Sequence, residues 1–177
     1  MPSNAPLSKV EATLSYGADV VLAGDFYADA YEEACRLQKE KGYTFCHPFD
    51  DPVVIAGQGT IGLEILEEVP DADVIIVPVG GGGLIAGVAA AVKAIRPSIR
   101  VIGVQTANMP SMQASMAEGH LVTVPANKSL ADGIAVGTPG TLTFQLVEEY
   151  VDEVVTVKES EIAESILFLL ERVKNCC

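Results

Sequence analysis

The sequence has only two histidines and few basic residues, and each shortage argues against a class of binding site. Lysines and arginines number 11 against 24 aspartates and glutamates, so the net charge is −13. Such a balance argues against binding to nucleic acid or to anionic membrane surfaces. The two histidines, His47 and His120, are far apart, and the four cysteines include no Cys-x-x-C pair. We therefore expect no metal site.

The chain also lacks a signal peptide and a disulfide pattern, which predicts a cytoplasmic protein. Cys35 and Cys46 stand apart, and Cys176 and Cys177 close the sequence. Residues 74–92 carry no charge and are about long enough to span a membrane. However, Pro78 and a run of glycines divide this segment into a strand and a helix, so we interpret it as protein core.

Glycine, in contrast, is concentrated at one place, where Gly80, Gly81, Gly82 and Gly83 follow one another. An apolar strand precedes them and a helix of small residues follows. Consecutive glycines cost backbone entropy, so the chain must need a backbone without side chains there. Bare N–H groups beside a helix N-terminus can hold a phosphate, and α/β sheets bind ligands just beyond the carboxyl ends of their strands. The segment therefore predicts phosphate binding rather than a simple flexible turn.

Strands and helices alternate along the sequence. The hydrophobic pattern predicts strands over 17–23, 43–46, 73–79, 100–105 and 153–157. It predicts helices over 26–41, 53–68, 84–95, 111–118, 141–150 and 159–174, with irregular structure from 119 to 140. This alternation is typical of an α/β protein that has a mostly parallel sheet with helices on both faces.

A second glycine motif, Gly57-x-Gly59-x-x-Gly62, fits the dinucleotide-binding fingerprint literally. That fingerprint requires a full strand before it and a carboxylate at a strand end about 20 residues later. Only the short apolar stretch 52–56 precedes the motif, and no suitable carboxylate follows. We therefore interpret the match as weak evidence for dinucleotide binding.

Several motifs, taken together and in order, resemble the middle part of the threonine dehydratases. They are Asn4-Ala5-Pro6 with Lys9, Gly17-Ala18-Asp19-Val20-Val21-Leu22, His47-Pro48-Phe49-Asp50-Asp51, Ala56-Gly57-Gln58-Gly59-Thr60, the segment from Val79 to Leu84, Ile102-Gly103-Val104-Gln105 and Leu130-Ala131-Asp132-Gly133. The resemblance covers residues 1 to about 174. It implies the tryptophan synthase β-type fold of pyridoxal phosphate enzymes, in which residues 57–62 lie in a helix of the large domain. Serine racemase is a near relative.

The resemblance implies pyridoxal phosphate as the cofactor, with its phosphate held by the four glycines and the amide of Leu84. Gly133 would lie along one edge of the cofactor ring, although an ordinary turn glycine explains it equally well. Residues 1–45 would be the C-terminal part of the small domain and 46–177 the core of the large, cofactor-phosphate-binding domain. The family also implies an amino-acid substrate, a homo-oligomer and, for the catabolic type, a nucleotide effector.

Three segments that carry the catalytic and ring-binding residues of the family have no match in this sequence. The Schiff-base lysine, in a Ser-Phe-Lys-x-Arg-Gly segment, and the Ser-x-Gly-Asn-His segment are expected upstream of Met1, and the residue that contacts the pyridine nitrogen follows the last helix. No lysine of this chain, including Lys9, Lys93 and Lys128, matches the nucleophile, which needs a desolvated pocket. We therefore expect an inactive fragment of a threonine or serine dehydratase, a lyase, with no catalytic residue of its own.

Two alternatives stay open at this stage: a serine racemase fragment, and a non-catalytic paralogue that binds a phosphorylated ligand. Racemase-like relatives place a glutamate at the end of the strand over 100–105 to help bind a divalent cation. This chain has Gln105, a poorer partner for a hard cation, which favours the catabolic type of threonine dehydratase. A paralogue would be stable alone, whereas a fragment would expose apolar surface.

Overall fold

The computed structural model describes residues 1–172 and divides the chain into two compact units, Met1–Cys46 and His47–Cys177. The end of the helix predicted over 159–174, and the two terminal cysteines, lie outside the described residues. The assignment of the units to the small and large domains of the family stays a prediction.

The first unit contains two helices, α1 (Leu7–Ser15) and α2 (Tyr27–Lys41). The prediction of α2 is confirmed. The Asp29 carboxylate accepts hydrogen bonds from the N–H groups of Asp25 and Phe26 at its start, and Gly42 ends it with φ +70°. The helix α1 was not among the predicted elements.

The two strands predicted in this unit are wrong, since residues 17–23 and 43–46 are irregular. A strand requires a hydrogen-bonded ladder with a neighbour. The first segment makes isolated backbone hydrogen bonds instead: the Gly17 N–H donates to the Leu14 carbonyl, the Ala23 N–H to the Met1 carbonyl, and the Met1 amine to the Val21 carbonyl. Residues 43–46 have no such ladder with any described residue. Their β-branched and aromatic composition is therefore not sufficient to make them strands.

The second unit is built on a parallel sheet of β1 (Val74–Pro78), β2 (Arg100–Thr106) and β3 (Glu153–Val157), in that spatial order. Its helices are α3 (Pro52–Glu68), α4 (Gly83–Ile95), α5 (Ser111–Glu118), α6 (Thr141–Tyr150) and α7 (Glu159–Arg172), with one 3₁₀ turn at Asp132–Ile134. These bounds agree with the predicted strands and helices of this unit to within one residue, apart from the end of α7, which the described residues do not test. The α/β class with a parallel sheet is confirmed.

The core of the second unit surrounds α4, which packs against both α3 and α6. Ile85, Val88 and Val92 of this helix are at most 1% exposed. On β1 the side chains alternate, so that Val77 is buried whereas Ile76 is 66% exposed. That face of β1 is therefore not covered by the described residues.

The literal dinucleotide motif lies inside α3, as the family resemblance implies. Its glycines allow a close approach of α3 to α4. A Cβ atom at Gly59 would lie 3.1 Å from the Gly87 carbonyl oxygen, and one at Gly62 would lie 3.0 Å from that of Val88. A Cβ atom at Gly87 would lie 2.3 Å from the Ile55 carbonyl oxygen. The motif therefore serves helix packing rather than nucleotide binding.

The uncharged run 74–92 divides into β1 and the greater part of α4, as predicted. Within residues 1–172, every helix is too short or too polar to cross a membrane.

Candidate functional site

The four glycines form a turn between β1 and α4. The sheet ladder continues to Val79, whose N–H donates to the Val104 carbonyl at 2.8 Å, and the chain then turns directly into the helix. Gly82 is the N-cap of α4 and has φ +98°, a conformation that favours glycine. Gly81, Gly82 and Gly83 are all buried.

The backbone amides of this turn are without protein acceptors. In the described part of the chain, no N–H of Gly80, Gly81, Gly82, Gly83 or Leu84 donates a hydrogen bond. Buried N–H groups are almost always paired, so a cluster of unpaired ones requires an explanation. These donors stand at the positive end of the α4 dipole, where an anion is stabilised. The arrangement is suited to a phosphate group.

Phe49 packs directly on the glycine turn. A Cβ atom at Gly81 would lie 2.5 Å from two atoms of the Phe49 ring, and one at Gly83 would lie 2.8 Å from the Phe49 Cβ. The turn therefore needs glycine for packing as well as for its exposed amides. This second reason does not follow from the glycine run alone, although Phe49 belongs to a motif that the sequence singled out.

The residues around Phe49 form a tight local structure at the start of α3. The His47 Nδ1 atom accepts hydrogen bonds from the N–H groups of Phe49 (3.3 Å) and Asp50 (2.8 Å). The Asp51 carboxylate accepts from the N–H groups of Val53 (2.8 Å) and Val54 (3.2 Å) and so caps α3. These contacts fix the backbone that carries Phe49.

Asp50 caps a different helix, α6, which begins 91 positions later in the sequence. Its carboxylate accepts from the N–H groups of Thr141, Leu142 and Thr143 at 3.0, 2.9 and 3.1 Å. Gly140 precedes this helix, and a Cβ atom there would lie 2.3 Å from an Asp50 carboxylate oxygen. The motif His47-Pro48-Phe49-Asp50-Asp51 thus joins α3, α6 and the glycine turn.

Gly133 lies in the 3₁₀ turn, which the structure places beside the glycine turn. A Cβ atom at Gly80 would lie 3.0 Å from the Ile134 Cα. Gly133 itself is exposed, and a Cβ atom there would meet no described atom within 4 Å. No protein packing therefore requires glycine at this position, and its place along a cofactor ring stays a prediction.

The segment before this turn is held by Glu159, the first residue of α7. The Glu159 carboxylate accepts from the Leu130 N–H at 2.6 Å and from the hydroxyls of Ser129 and Thr106 at 2.7 Å. The Leu130 N–H, followed by the two hydroxyls, lowers the pKa of Glu159 from its ordinary value. Sequence reasoning missed this residue, because its partners lie 29 to 53 positions away.

We expect these bonds to weaken in acid. Because folding lowers the pKa of Glu159, its contribution is fully present above the ordinary glutamate pKa of about 4.3 and is lost as the pH falls through the lowered value. The urea midpoints of the wild type and Glu159→Gln should therefore differ most at pH 7 and converge toward pH 3. Glu164→Gln, an exposed position on the same helix, is the matched control for the change in charge. A difference specific to Glu159→Gln that stays constant from pH 7 to pH 3 would contradict this expectation.

Gln105 is fully buried and caps α5 rather than facing a ligand. Its Oε1 atom accepts from the N–H groups of Met112 (3.1 Å) and Gln113 (3.2 Å), and its Nε2 donates to the Ser111 hydroxyl (3.4 Å). Within residues 1–172, no group of three or more histidine, cysteine, aspartate or glutamate side chains is placed to hold a metal ion.

A strand of a parallel sheet that leads through unpaired glycine amides into a helix is typical of proteins that bind a phosphorylated ligand. The family described as "Pyridoxal-phosphate dependent enzyme" matches residues 1–175, and the chain belongs to it. The family resemblance stated from the sequence is thereby confirmed.

Among curated proteins, the chain is 59% identical to the L-threonine ammonia-lyase of Thermotoga maritima over 174 residues, which are 98% of this chain and 43% of that protein. It is 51% identical to the catabolic L-threonine dehydratase TdcB of Escherichia coli K12, covering 98% of this chain and 53% of that protein. The chain thus spans about half the length of the curated relatives it matches.

Solved structures show the same likeness. The processed form of threonine deaminase isoform 2 from Solanum lycopersicum superposes with a TM-score of 0.91 at 40% identity, covering 99% of this chain and 48% of that one. Maize serine racemase superposes with a TM-score of 0.90 at 39% identity, covering 98% of this chain and 52% of that one. The tryptophan synthase β-type fold implied by the sequence motifs is confirmed.

Proposed function

We propose that this chain is the cofactor-phosphate-binding portion of a pyridoxal phosphate-dependent threonine dehydratase. Such an enzyme removes water and then ammonia from threonine or serine to leave a 2-oxo acid. The names of the relatives at 51% and 59% identity support this reaction. The observation that carries the cofactor assignment is the set of unpaired amides at Gly80, Gly81, Gly82, Gly83 and Leu84.

The residues present fit the phosphate of this cofactor. Any side chain at Gly81 or Gly83 would collide with Phe49. Because both positions are glycine, the N–H groups of the glycine turn are not covered by side chains of their own. These donors are uncharged and local, which reconciles an anionic ligand with a net charge of −13. The 3₁₀ turn with Gly133 lies beside the loop, and we propose that it borders the cofactor ring.

These contacts indicate which part of the catalysis the residues of this chain would support. Bound pyridoxal phosphate supplies an electron sink for negative charge at the substrate α-carbon. The residues of this chain would anchor the cofactor by its phosphate and fix the ring orientation, which sets the geometry for loss of the β-hydroxyl. We propose that the lysine and the group that binds the substrate carboxylate belong to the part of the relatives that this chain does not match.

Exposed apolar side chains support the existence of such a further part. On α7 five consecutive residues are between 42% and 59% exposed: Ile166, Leu167, Phe168, Leu169 and Leu170. On β1, Val74 and Ile76 are 43% and 66% exposed. Exposed large apolar side chains in such number are typical of a surface that another element covers. We propose that the remainder of the longer protein covers it.

A racemase function is the second candidate, because maize serine racemase has a similar fold. The structure favours the dehydratase, since all polar atoms of the Gln105 side chain are engaged in capping α5. A homo-oligomer, a nucleotide effector and a cytoplasmic location remain predictions from the sequence.

The test of the cofactor assignment compares two ligands that differ only in the phosphate. Calorimetry on the purified chain should give a pyridoxal phosphate affinity at least about tenfold higher than that of pyridoxal, because charge-assisted hydrogen bonds to the amides are lost with the phosphate. Inorganic phosphate should compete with the first ligand. Equal affinities for the two ligands would overturn the assignment.

Borohydride reduction of the chain with bound pyridoxal phosphate tests the absence of a catalytic lysine. We expect scattered labelling or none by peptide mass spectrometry, because no lysine here matches the family nucleophile. Stoichiometric labelling of one lysine would show that the chain carries its own nucleophile and would refute this part of the proposal.

A further inference from the structure

The Gly81 carbonyl of the glycine turn is held from the side of α6. The hydroxyl of Thr143, a residue that is 0% exposed, donates to the Gly81 oxygen at 2.6 Å. The Gly140 N–H donates to the same oxygen at 3.2 Å. One carbonyl of an otherwise pliable glycine run is thus fixed by two donors from another element.

The direction of the next amide follows from this contact. The described chain has no cis peptide bond, and in a planar trans peptide the carbonyl and the N–H point in opposite directions. Because the Gly81 oxygen points toward Thr143 and Gly140, the Gly82 N–H must point away from α6. If this peptide rotated, the carbonyl dipole would face an anion bound at the turn instead of the N–H.

Packing restricts the same peptide from its other end. Gly82 has φ +98°, and a Cβ atom there would lie 2.9 Å from the Thr143 Cβ and 2.6 Å from the Met112 Cε. Thr143 is itself fixed, since its N–H donates to the Asp50 carboxylate at 3.1 Å. These contacts hold the Gly81–Gly82 peptide in one conformation before any ligand binds. Ligand binding therefore costs less backbone conformational entropy than it would in an unsupported run of glycines.

We propose that Thr143 is a positioning residue for the cofactor phosphate: its hydroxyl fixes the Gly81–Gly82 peptide so that the Gly82 N–H faces the phosphate. This inference rests on the proposed function of the glycine turn. The hydroxyl, rather than the size of the side chain, carries the effect. Thr143→Val keeps the shape and removes the donor, whereas Thr143→Ser keeps the donor.

The first experiment measures the affinities of pyridoxal phosphate and of pyridoxal for the wild type and both variants by calorimetry. We expect Thr143→Val to weaken pyridoxal phosphate binding about tenfold and to leave pyridoxal binding unchanged, while Thr143→Ser stays close to the wild type. If the role of Thr143 were merely structural, Thr143→Val would weaken the binding of both ligands together. That result would overturn the inference, and so would a Thr143→Val variant that binds pyridoxal phosphate with wild-type affinity. A wild type that does not distinguish the two ligands would instead contradict the proposed function itself.

A second measurement uses the wild type and does not depend on how well a variant folds. Residues 80–83 contain the only Gly-Gly pairs of the sequence. Labelling with glycine that carries both ¹³C at the carbonyl and ¹⁵N at the amide therefore selects the amides of Gly81, Gly82 and Gly83 in a carbonyl-correlated spectrum. On addition of inorganic phosphate, the Gly82 amide proton should shift with the others. If Gly82 stays unshifted while its neighbours respond, Thr143 does not position this donor.

Discussion

Gly81→Ala is expected to weaken pyridoxal phosphate binding at least about tenfold and to lower the free energy of unfolding by about 1–3 kcal/mol. The new Cβ atom would lie within 2.6 Å of three ring atoms of Phe49, so that either the ring or the turn must move. The ring atoms concerned include Cγ, which is close to the backbone and cannot swing aside freely. Calorimetry with pyridoxal phosphate and urea denaturation measure the two effects.

A double-mutant cycle with Phe49→Ala shows whether the collision is the cause. The three atoms nearest to the new Cβ all belong to the Phe49 ring, and removing the ring opens the space they occupy. We expect the double variant to be about 1–2 kcal/mol more stable than the sum of the two single effects predicts. Strict additivity would mean that the alanine at position 81 acts through something other than Phe49.

Gly87→Ala is expected to lower the free energy of unfolding by about 3 kcal/mol or more, at the upper end of what overpacking costs. Its Cβ atom would lie 2.3 Å from the Ile55 carbonyl oxygen and 2.7 Å from the Gly59 nitrogen. Both are backbone atoms of α3, so α3 and α4 must separate to admit one methyl group. Since α4 is at the centre of the core, this separation disturbs its other contacts. Urea denaturation of the purified chain measures the loss.

Gly57→Ala is the matched control, because Gly57 lies on α3 but faces open space, with no described atom within 4 Å of its Cβ position. In a helix interior, alanine is more stable than glycine by about 0.5–1 kcal/mol. The Gly57→Ala variant should therefore be more stable than the wild type. The same chemical change is thus expected to have opposite signs on the two facing helices. Wild-type stability of Gly87→Ala would show that the close helix packing is wrong.

The motif around Phe49 connects these results to function. In the sequence, His47-Pro48-Phe49-Asp50-Asp51 is a polar, proline-containing segment without a visible chemical task. In the structure, Phe49 supports the glycine turn, and Asp50 caps α6, the helix that carries Thr143. The glycine turn is therefore supported by Phe49 directly and by α6, and this one short segment positions both.

The sequence by itself determined the α/β class, the strand–glycine–helix turn and nearly every helix of the second unit. These features depend on local properties: the hydrophobic period, the conformational freedom of consecutive glycines and the composition of buried parallel strands. The family motifs added the likeness that the comparisons confirmed. The same local reasoning failed at 17–23 and 43–46, because a strand exists only where a neighbour completes its ladder.

Only the tertiary structure decided which distant groups serve the site. Asp50 meets α6 across 91 positions, Thr143 meets Gly81 across 62, and Glu159 meets Thr106 across 53. Nothing in the spacing of these residues indicates their partners, since a side-chain hydrogen bond depends on where the chain returns in space. Likewise, the glycines of α3 match a nucleotide fingerprint in sequence, but the approach of α4 to within backbone contact is what requires them.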